Sequence, residues 1–142
     1  MIIPDVNLLV YAHNEGSGYF QEANNWWTST LLGEETVLLP WMIIAGFIRV
    51  TASKALVSPI TLDQSTSIAE QWLEQPNVSI IEPGPRHLEL IRELSRDSNI
   101  PGTKLTDLQI AALAIEHRAT VYTHDTDFLR IPGIKVEFPL KK

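Results

Sequence analysis

The sequence predicts an α/β protein, a three-layer α/β/α sandwich around a mainly parallel central sheet. Three observations predict it. Short apolar runs without polar alternation recur along the chain, as expected of strands buried on both faces of a parallel sheet. Amphipathic runs of helical period separate them. The resulting β-α-α-β-α-α-β order, joined by right-handed crossovers, puts helices on both faces of the sheet.

The predicted strands cover residues 1–4, 36–39, 78–81, 119–122 and, with fewer apolar residues, 135–138. The predicted helices cover residues 8–13, 19–32, 41–52, 62–74, 86–98 and 108–117. Thr61-Leu62-Asp63-Gln64 and Thr106-Asp107-Leu108-Gln109 both fit a capping box, in which threonine and glutamine side chains satisfy first-turn amides. Pro85 and Pro101-Gly102 punctuate loops. Trp41 and Trp72 read as core, and Trp26-Trp27 as core and groove fillers. His13, His87, His117 and His124 have no metal-ligand spacing and read as surface or helix-end residues. With no repeat, low-complexity segment or linker, residues 1–142 read as a single domain.

Composition narrows the function. Hydrophobic residues are 44% and charged residues 20%, ordinary for a globular protein. The absence of cysteine excludes disulfides, thiolate metal sites and a cysteine nucleophile. The first apolar run is short, interrupted by Asp5 and Asn7, and preceded by no basic residue. It reads as neither signal peptide nor membrane span, so the expected location is the cytoplasm with no membrane partner. The net charge of −6 is uneven, with no Lys or Arg before Arg49. Overall charge alone therefore does not suggest a nucleic-acid binder.

The chemistry lies in carboxylates. Asp5 stands in the otherwise apolar run Ile2-Ile3-Pro4-Asp5-Val6-Asn7-Leu8, where an aspartate is costly to desolvate without a partner or a metal. Asp125 follows the fourth predicted strand in Thr123-His124-Asp125-Thr126-Asp127-Phe128, and Asp107 opens the helix leading into that strand. In open parallel sheets the active crevice lies at the carboxyl ends of the strands. Topology therefore puts Asp5 and Asp125 at one edge, and Asp107 joins them if its helix starts there. Three such carboxylates would favour a hard divalent cation. Each also has a plain reading: a turn for Asp5, a helix-dipole partner for Asp107, an Asx turn for Asp125 and Asp127.

Asp5-Val6-Asn7-Leu8-Leu9-Val10-Tyr11-Ala12, Thr106-Asp107-Leu108-Gln109-Ile110-Ala111-Ala112-Leu113-Ala114 and the Thr123-to-Phe128 block together resemble the signature blocks of PIN domains. More narrowly they resemble VapC-type toxins of toxin–antitoxin pairs, in order and over essentially the whole chain. The resemblance implies a PIN-like fold and an endoribonuclease dependent on Mg²⁺ or Mn²⁺, held inactive by a cognate antitoxin and forming a homodimer. It gives metal and catalytic roles to Asp5, Asp107 and Asp125, with Asp127 as a further acidic position. Asn7 matches the residue supporting the first aspartate, and Thr123 the threonine orienting the last. Arg49 is the candidate for phosphate contact. One departure matters: the family's central-helix glutamate falls at Gly46, within Trp41-Met42-Ile43-Ile44-Ala45-Gly46-Phe47-Ile48-Arg49. One tightly held ion, with a second recruited alongside RNA, is then the expectation.

Two alternatives stand beside this reading. One is a catalytically weakened PIN domain that binds RNA or antitoxin without efficient turnover. The other is a phosphohydrolase with Asp5 as covalent nucleophile, disfavoured because Asn7 stands where a second acid is wanted. The apolar first helix and the tryptophan-bearing second helix are the expected surfaces for self-association and for an antitoxin helix.

Overall fold

The computed structural model describes residues 1–56 and 58–141. Among them the chain forms five strands and six α-helices: β1 (Ile2–Pro4), α1 (Val6–His13), α2 (Phe20–Leu32), β2 (Val37–Pro40), α3 (Trp41–Thr51), α4 (Leu62–Glu74), β3 (Val78–Ile81), α5 (His87–Ser98), α6 (Leu105–His117), β4 (Thr120–Tyr122) and β5 (Lys135–Glu137). Two 3-10 turns, Gly102–Lys104 and Thr126–Arg130, lead into α6 and out of β4. The sheet has the order β3-β2-β1-β4-β5 and is parallel at every pairing. This is the α/β architecture the sequence predicts. Right-handed crossovers put α1–α4 on one face and α5–α6 on the other.

Burial follows position in the sheet. β1 and β2 are buried at every residue, as continuous apolar runs require. β3 and β5 are edge strands, and Ser79, Ile80, Lys135 and Glu137 are exposed. The expectation of strands buried on both faces therefore holds at the centre and fails at the margins, where one side has no neighbour to cover it. α6 buries a continuous stretch: Leu108 and every residue from Ile110 to Ala114 are buried. Its alanines let the helix sit close to both the sheet and α5.

Trp27 and Trp72 are each 2% exposed and meet edge-on at 5.5 Å. Phe47 tilts against Trp72 at 4.6 Å, and His13 lies over both Phe47 and Trp72. His13, the helix-end residue of α1, is thus packed rather than displayed at the surface. Trp41, in contrast, is 54% exposed because it opens α3 directly beyond the sheet edge at Pro40, so its core assignment is wrong. The apolar residues of α1 (Leu8, Leu9, Val10 and Ala12) are core, so that helix does not offer the apolar surface expected of it.

Helix starts separate local signal from tertiary effect. Thr61 forms the predicted capping box with Gln64 in both directions, at 3.1 and 2.9 Å. The second predicted box does not form: α6 begins at Leu105, so Thr106 lies inside the helix and the cap position is Lys104, with no side-chain cap bond. The preceding 3-10 turn supplies the first turn of winding instead. On the other face, Glu116 accepts from Gly84 N and from His87 Nδ1, the latter at 2.8 Å, pinning the β3–α5 loop onto α6. A side chain at residue 84 would collide with that carboxylate, and His87, at the helix end where α5 begins, is largely enclosed by the contact.

Thr61→Ala should cost about 1 kcal/mol of stability, whereas Thr106→Ala should change it by less than about 0.5 kcal/mol. Urea denaturation of the two variants checks the contrast, and equal losses would contradict the observed start of α6.

Candidate active site

β1 and β4 are neighbours, with Pro4 opposite Tyr122, so Asp5 and Thr123 leave the sheet at the same level. Asp5 N donates to Tyr122 O at 2.8 Å and carries the ladder one step past the strands. The chain travels outward from β1 through β2 and β3, then returns to lay β4 on the other side of β1. The crevice between β1 and β4 is therefore the topological switch point, where α/β sheets place their ligands.

Asp5 caps α1 from this position and is 7% exposed. Its Oδ1 accepts from Val6 N at 2.7 Å, and its Oδ2 accepts from Thr123 Oγ1 at 2.6 Å. The Thr123 hydroxyl, fully buried, also accepts from Asp125 N at 3.0 Å. One hydroxyl thus ties the first aspartate to the backbone of the last. It does not contact the Asp125 carboxylate, so its grip on Asp125 is through the main chain. Asp125 Oδ1 accepts from Asp127 N at 2.9 Å, so the predicted Asx turn is present and opens the turn Thr126–Arg130. Asp107 arrives from α6, which runs back toward the start of β4 and so has its first turn at the carboxyl edge.

Charge shows how near these groups are. Burial raises the Asp5 pKa from 3.8 to about 6. The Thr123 and Val6 hydrogen bonds oppose that rise, while the charges of Asp107 and Asp125 add to it. Asp107 is also raised, by burial first and by Asp125 second, with Lys104 working against both. The three aspartates therefore share one electrostatic field. They are not gathered as a chelating group: among the described residues, no three His, Cys, Asp or Glu side chains stand together closely enough to hold a metal ion. Mutual repulsion of like charges favours that spacing.

The remaining predicted residues sit around this centre. Asp127 is paired with the Lys104 ammonium. Asn7 Oδ1 is buried with no hydrogen-bond partner among the described residues. Arg49 is exposed on α3, three residues beyond Gly46. Gly46 is buried against α1, where an added Cβ would lie 2.9 Å from Val6 Cγ2. Sequence reasoning missed Lys104 and Tyr11. Lys104 stands three residues before Asp107, and Tyr11 stands one turn beyond Asn7 on α1, spacings that put each beside the site.

Because the folded Asp5 pKa lies above its unfolded value, the folded state binds more protons between the two. Stability contributed by this group is therefore greatest below pH 4 and declines as pH rises toward 6. In EDTA, the stability of wild type relative to Asp5→Asn should fall by roughly 3 kcal/mol between about pH 4 and pH 7. A pH-independent difference in urea denaturation would contradict this. Thr123→Val removes a bond to the ionised form, so it should move the Asp5 pKa further above about 6 in a carboxyl-carbon NMR titration.

Comparison with known proteins places this geometry. The family model for the PIN domain matches residues 2–134. Ribonuclease VapC33 of Mycobacterium tuberculosis is 36% identical over 143 residues, covering 100% of both chains. Ribonuclease VapC37 of the same organism is 30% identical over 98% of this chain and 97% of its own. Among solved structures, VapBC2 from Rickettsia felis bound to a promoter DNA fragment has a TM-score of 0.70 at 24% identity, covering 96% of this chain and 98% of that one. Mycobacterium tuberculosis VapC20, a toxin cleaving the sarcin–ricin loop, has a TM-score of 0.71 at 16% identity, covering 97% and 100%. These two structures share the fold. With the family match over nearly all its length and the full-length identity to a VapC ribonuclease, the chain belongs to the PIN domain family and, within it, to the VapC ribonucleases.

Proposed function

We propose that this chain is an endoribonuclease that hydrolyses RNA phosphodiester bonds with Mg²⁺ or Mn²⁺ at Asp5, Asp107 and Asp125, acting as the toxin of a toxin–antitoxin pair. The observation that carries the reading is the Asp5–Thr123–Asp125 link at the switch point, with Asp107 near enough to raise the proton affinity of Asp5. The donor chemistry fits a hard divalent cation. Carboxylate oxygens come from three separate elements, and the buried Asn7 Oδ1 is a further oxygen with no partner among the described residues. Held by Asp5, Asp107 and Asp125, with Asp127 as a further ligand, such an ion would offset the like charges and activate water for attack on phosphorus.

The chain's own residues supply order and counter-charge. Thr123 Oγ1 fixes Asp5 Oδ2 and opposes the effect of burial, so the carboxylate ionises more readily. The Asx turn fixes the rotamer of Asp125. Lys104 lowers the proton affinity of Asp107 and, paired with Asp127, supplies positive charge beside the acids. Exposed Arg49 is a second candidate for phosphate contact.

We extend an antitoxin partner to the chain because its relatives of known structure include VapBC complexes and a toxin–antitoxin complex from Klebsiella pneumoniae. A symmetric homodimer is the default assembly, and exposed Trp41, beside Ile44, Ile48 and Leu73, is the apolar surface we assign to it. Among the described residues no helix is long and apolar enough to cross a membrane. The reading places the protein in the cytoplasm as one PIN domain over residues 1–142.

A second reading, a weakened PIN domain that binds without efficient turnover, has one observation in its favour. Val6 fills the space that an acid at Gly46 would need. The covalent phosphohydrolase has less support, because both oxygens of Asp5 already accept hydrogen bonds and Asn7 cannot protonate a leaving group.

Asp125→Asn should lower RNA cleavage in Mg²⁺ or Mn²⁺ roughly a hundredfold or more, and EDTA should abolish wild-type cleavage. Cleavage that survives both, followed on a denaturing gel, would sink the metal mechanism. Gly46→Glu alone should cost about 1–3 kcal/mol by overpacking. Combined with Val6→Ala it should fold and bind Mn²⁺ more tightly by calorimetry; unchanged affinity would mean that residue 46 does not face the aspartates.

A further inference from the structure

The crevice carries a second chemistry beside its acids. Tyr11 on α1, Tyr19 at the start of α2 and His124 between Thr123 and Asp125 bring three rings together. Ring centroids are 4.8 Å apart for Tyr11–Tyr19, 4.6 Å for Tyr19–His124 and 5.9 Å for Tyr11–His124. Both contacts of His124 are edge-on, at 61° and 82°. Edge-on contact engages one ring's rim and does not use up every face of the cluster. All three side chains are half-buried, so the cluster is rooted in the fold and open to solvent on one side. Tyr11 lies within the field of Asp5 and Asp125, which places the cluster at the wall of the same crevice.

We propose that Tyr11, Tyr19 and His124 form a subsite that stacks one unpaired nucleobase of the RNA beside the phosphate addressed by Asp5, Asp107 and Asp125. This inference rests on the ribonuclease reading above. The charge balance is what makes such a subsite useful. Asp5, Asp107, Asp125 and Asp127 repel an RNA backbone, and Lys104 is already paired with one of them. Aromatic surface holds a base through its π-face rather than through charge on the backbone. A stacked base must first leave its neighbours, so the subsite also selects single-stranded or looped RNA over duplex.

The test uses a single-stranded RNA of roughly twelve nucleotides, with one abasic ribose walked through every position, bound in Mg²⁺ by protein carrying Asp125→Asn to prevent cleavage. One abasic position should weaken binding about 5- to 100-fold. Tyr19→Leu, which keeps apolar bulk and loses the ring, should weaken binding to the intact RNA by a similar factor and erase the position dependence. Tyr19→Phe should preserve both. His124→Leu gives the same comparison if Tyr19→Leu melts early. Equal binding of every abasic RNA, or position dependence that survives loss of either ring, would overturn the subsite. If wild type still cuts RNA while the abasic series is flat, the subsite alone falls; if RNA is neither bound nor cut, the ribonuclease reading falls with it.

Discussion

The structure around the crevice depends on one buried carboxylate held at the end of a central strand. Asp5 is desolvated enough to raise its proton affinity, yet both of its oxygens are committed to named donors. Val6 N belongs to the helix that leaves the sheet there, and Thr123 Oγ1 belongs to the neighbouring strand's exit. Those two bonds set the direction of α1 relative to β4. They also explain why Thr123 is fully buried: an exposed hydroxyl would exchange its partners for water and lose the registration between the two exits.

The charge pattern extends from that constraint. Burying one carboxylate near two others is unfavourable, and Lys104 is the cation that meets the group, through Asp127 and through its effect on Asp107. The crevice is therefore organised by hydrogen bonds and held against its own repulsion. The lack of Lys and Arg before Arg49 has a counterpart here, since the ammonium beside these acids, Lys104, comes from a later element. Net charge alone is a poor guide to such a site, because the relevant field is set by a few groups at close range.

What could be read in the sequence was whatever depended on local pattern. The runs that became β1 and β2 are apolar without interruption because both faces are covered, and Asp5 interrupts the first where the strand ends. Thr61 and Gln64 cap a helix through contacts between residues three apart, which sequence displays directly. Thr106 and Gln109 have the same spacing but sit inside α6, because the 3-10 turn before them begins the winding earlier. Trp41 resembles Trp72 in composition and differs from it in burial, since burial depends on whether a neighbouring element covers the position. Lys104 and Tyr11 have a local signal in their spacing from Asp107 and Asn7, but the pairing of Lys104 with Asp127 and the approach of Tyr11 to Asp125 depend on residues farther along the chain.

Gly46 shows how a missing acid and a packing contact are one fact. α1 and α3 approach so closely that the absent Cβ would lie 2.9 Å from Val6 Cγ2. Val6 is the first residue of α1 and the donor to Asp5 Oδ1, so its backbone cannot retreat without disturbing the carboxylate. Only its side chain can give way. A glutamate at position 46 therefore requires a smaller residue at position 6, and a valine at position 6 favours glycine at position 46. The apolar contact stabilises the α1–α3 interface beside the residue that donates to Asp5. In this chain the central helix braces the residue beside Asp5 and leaves the handling of charge to Asp107, Asp125, Asp127 and Lys104.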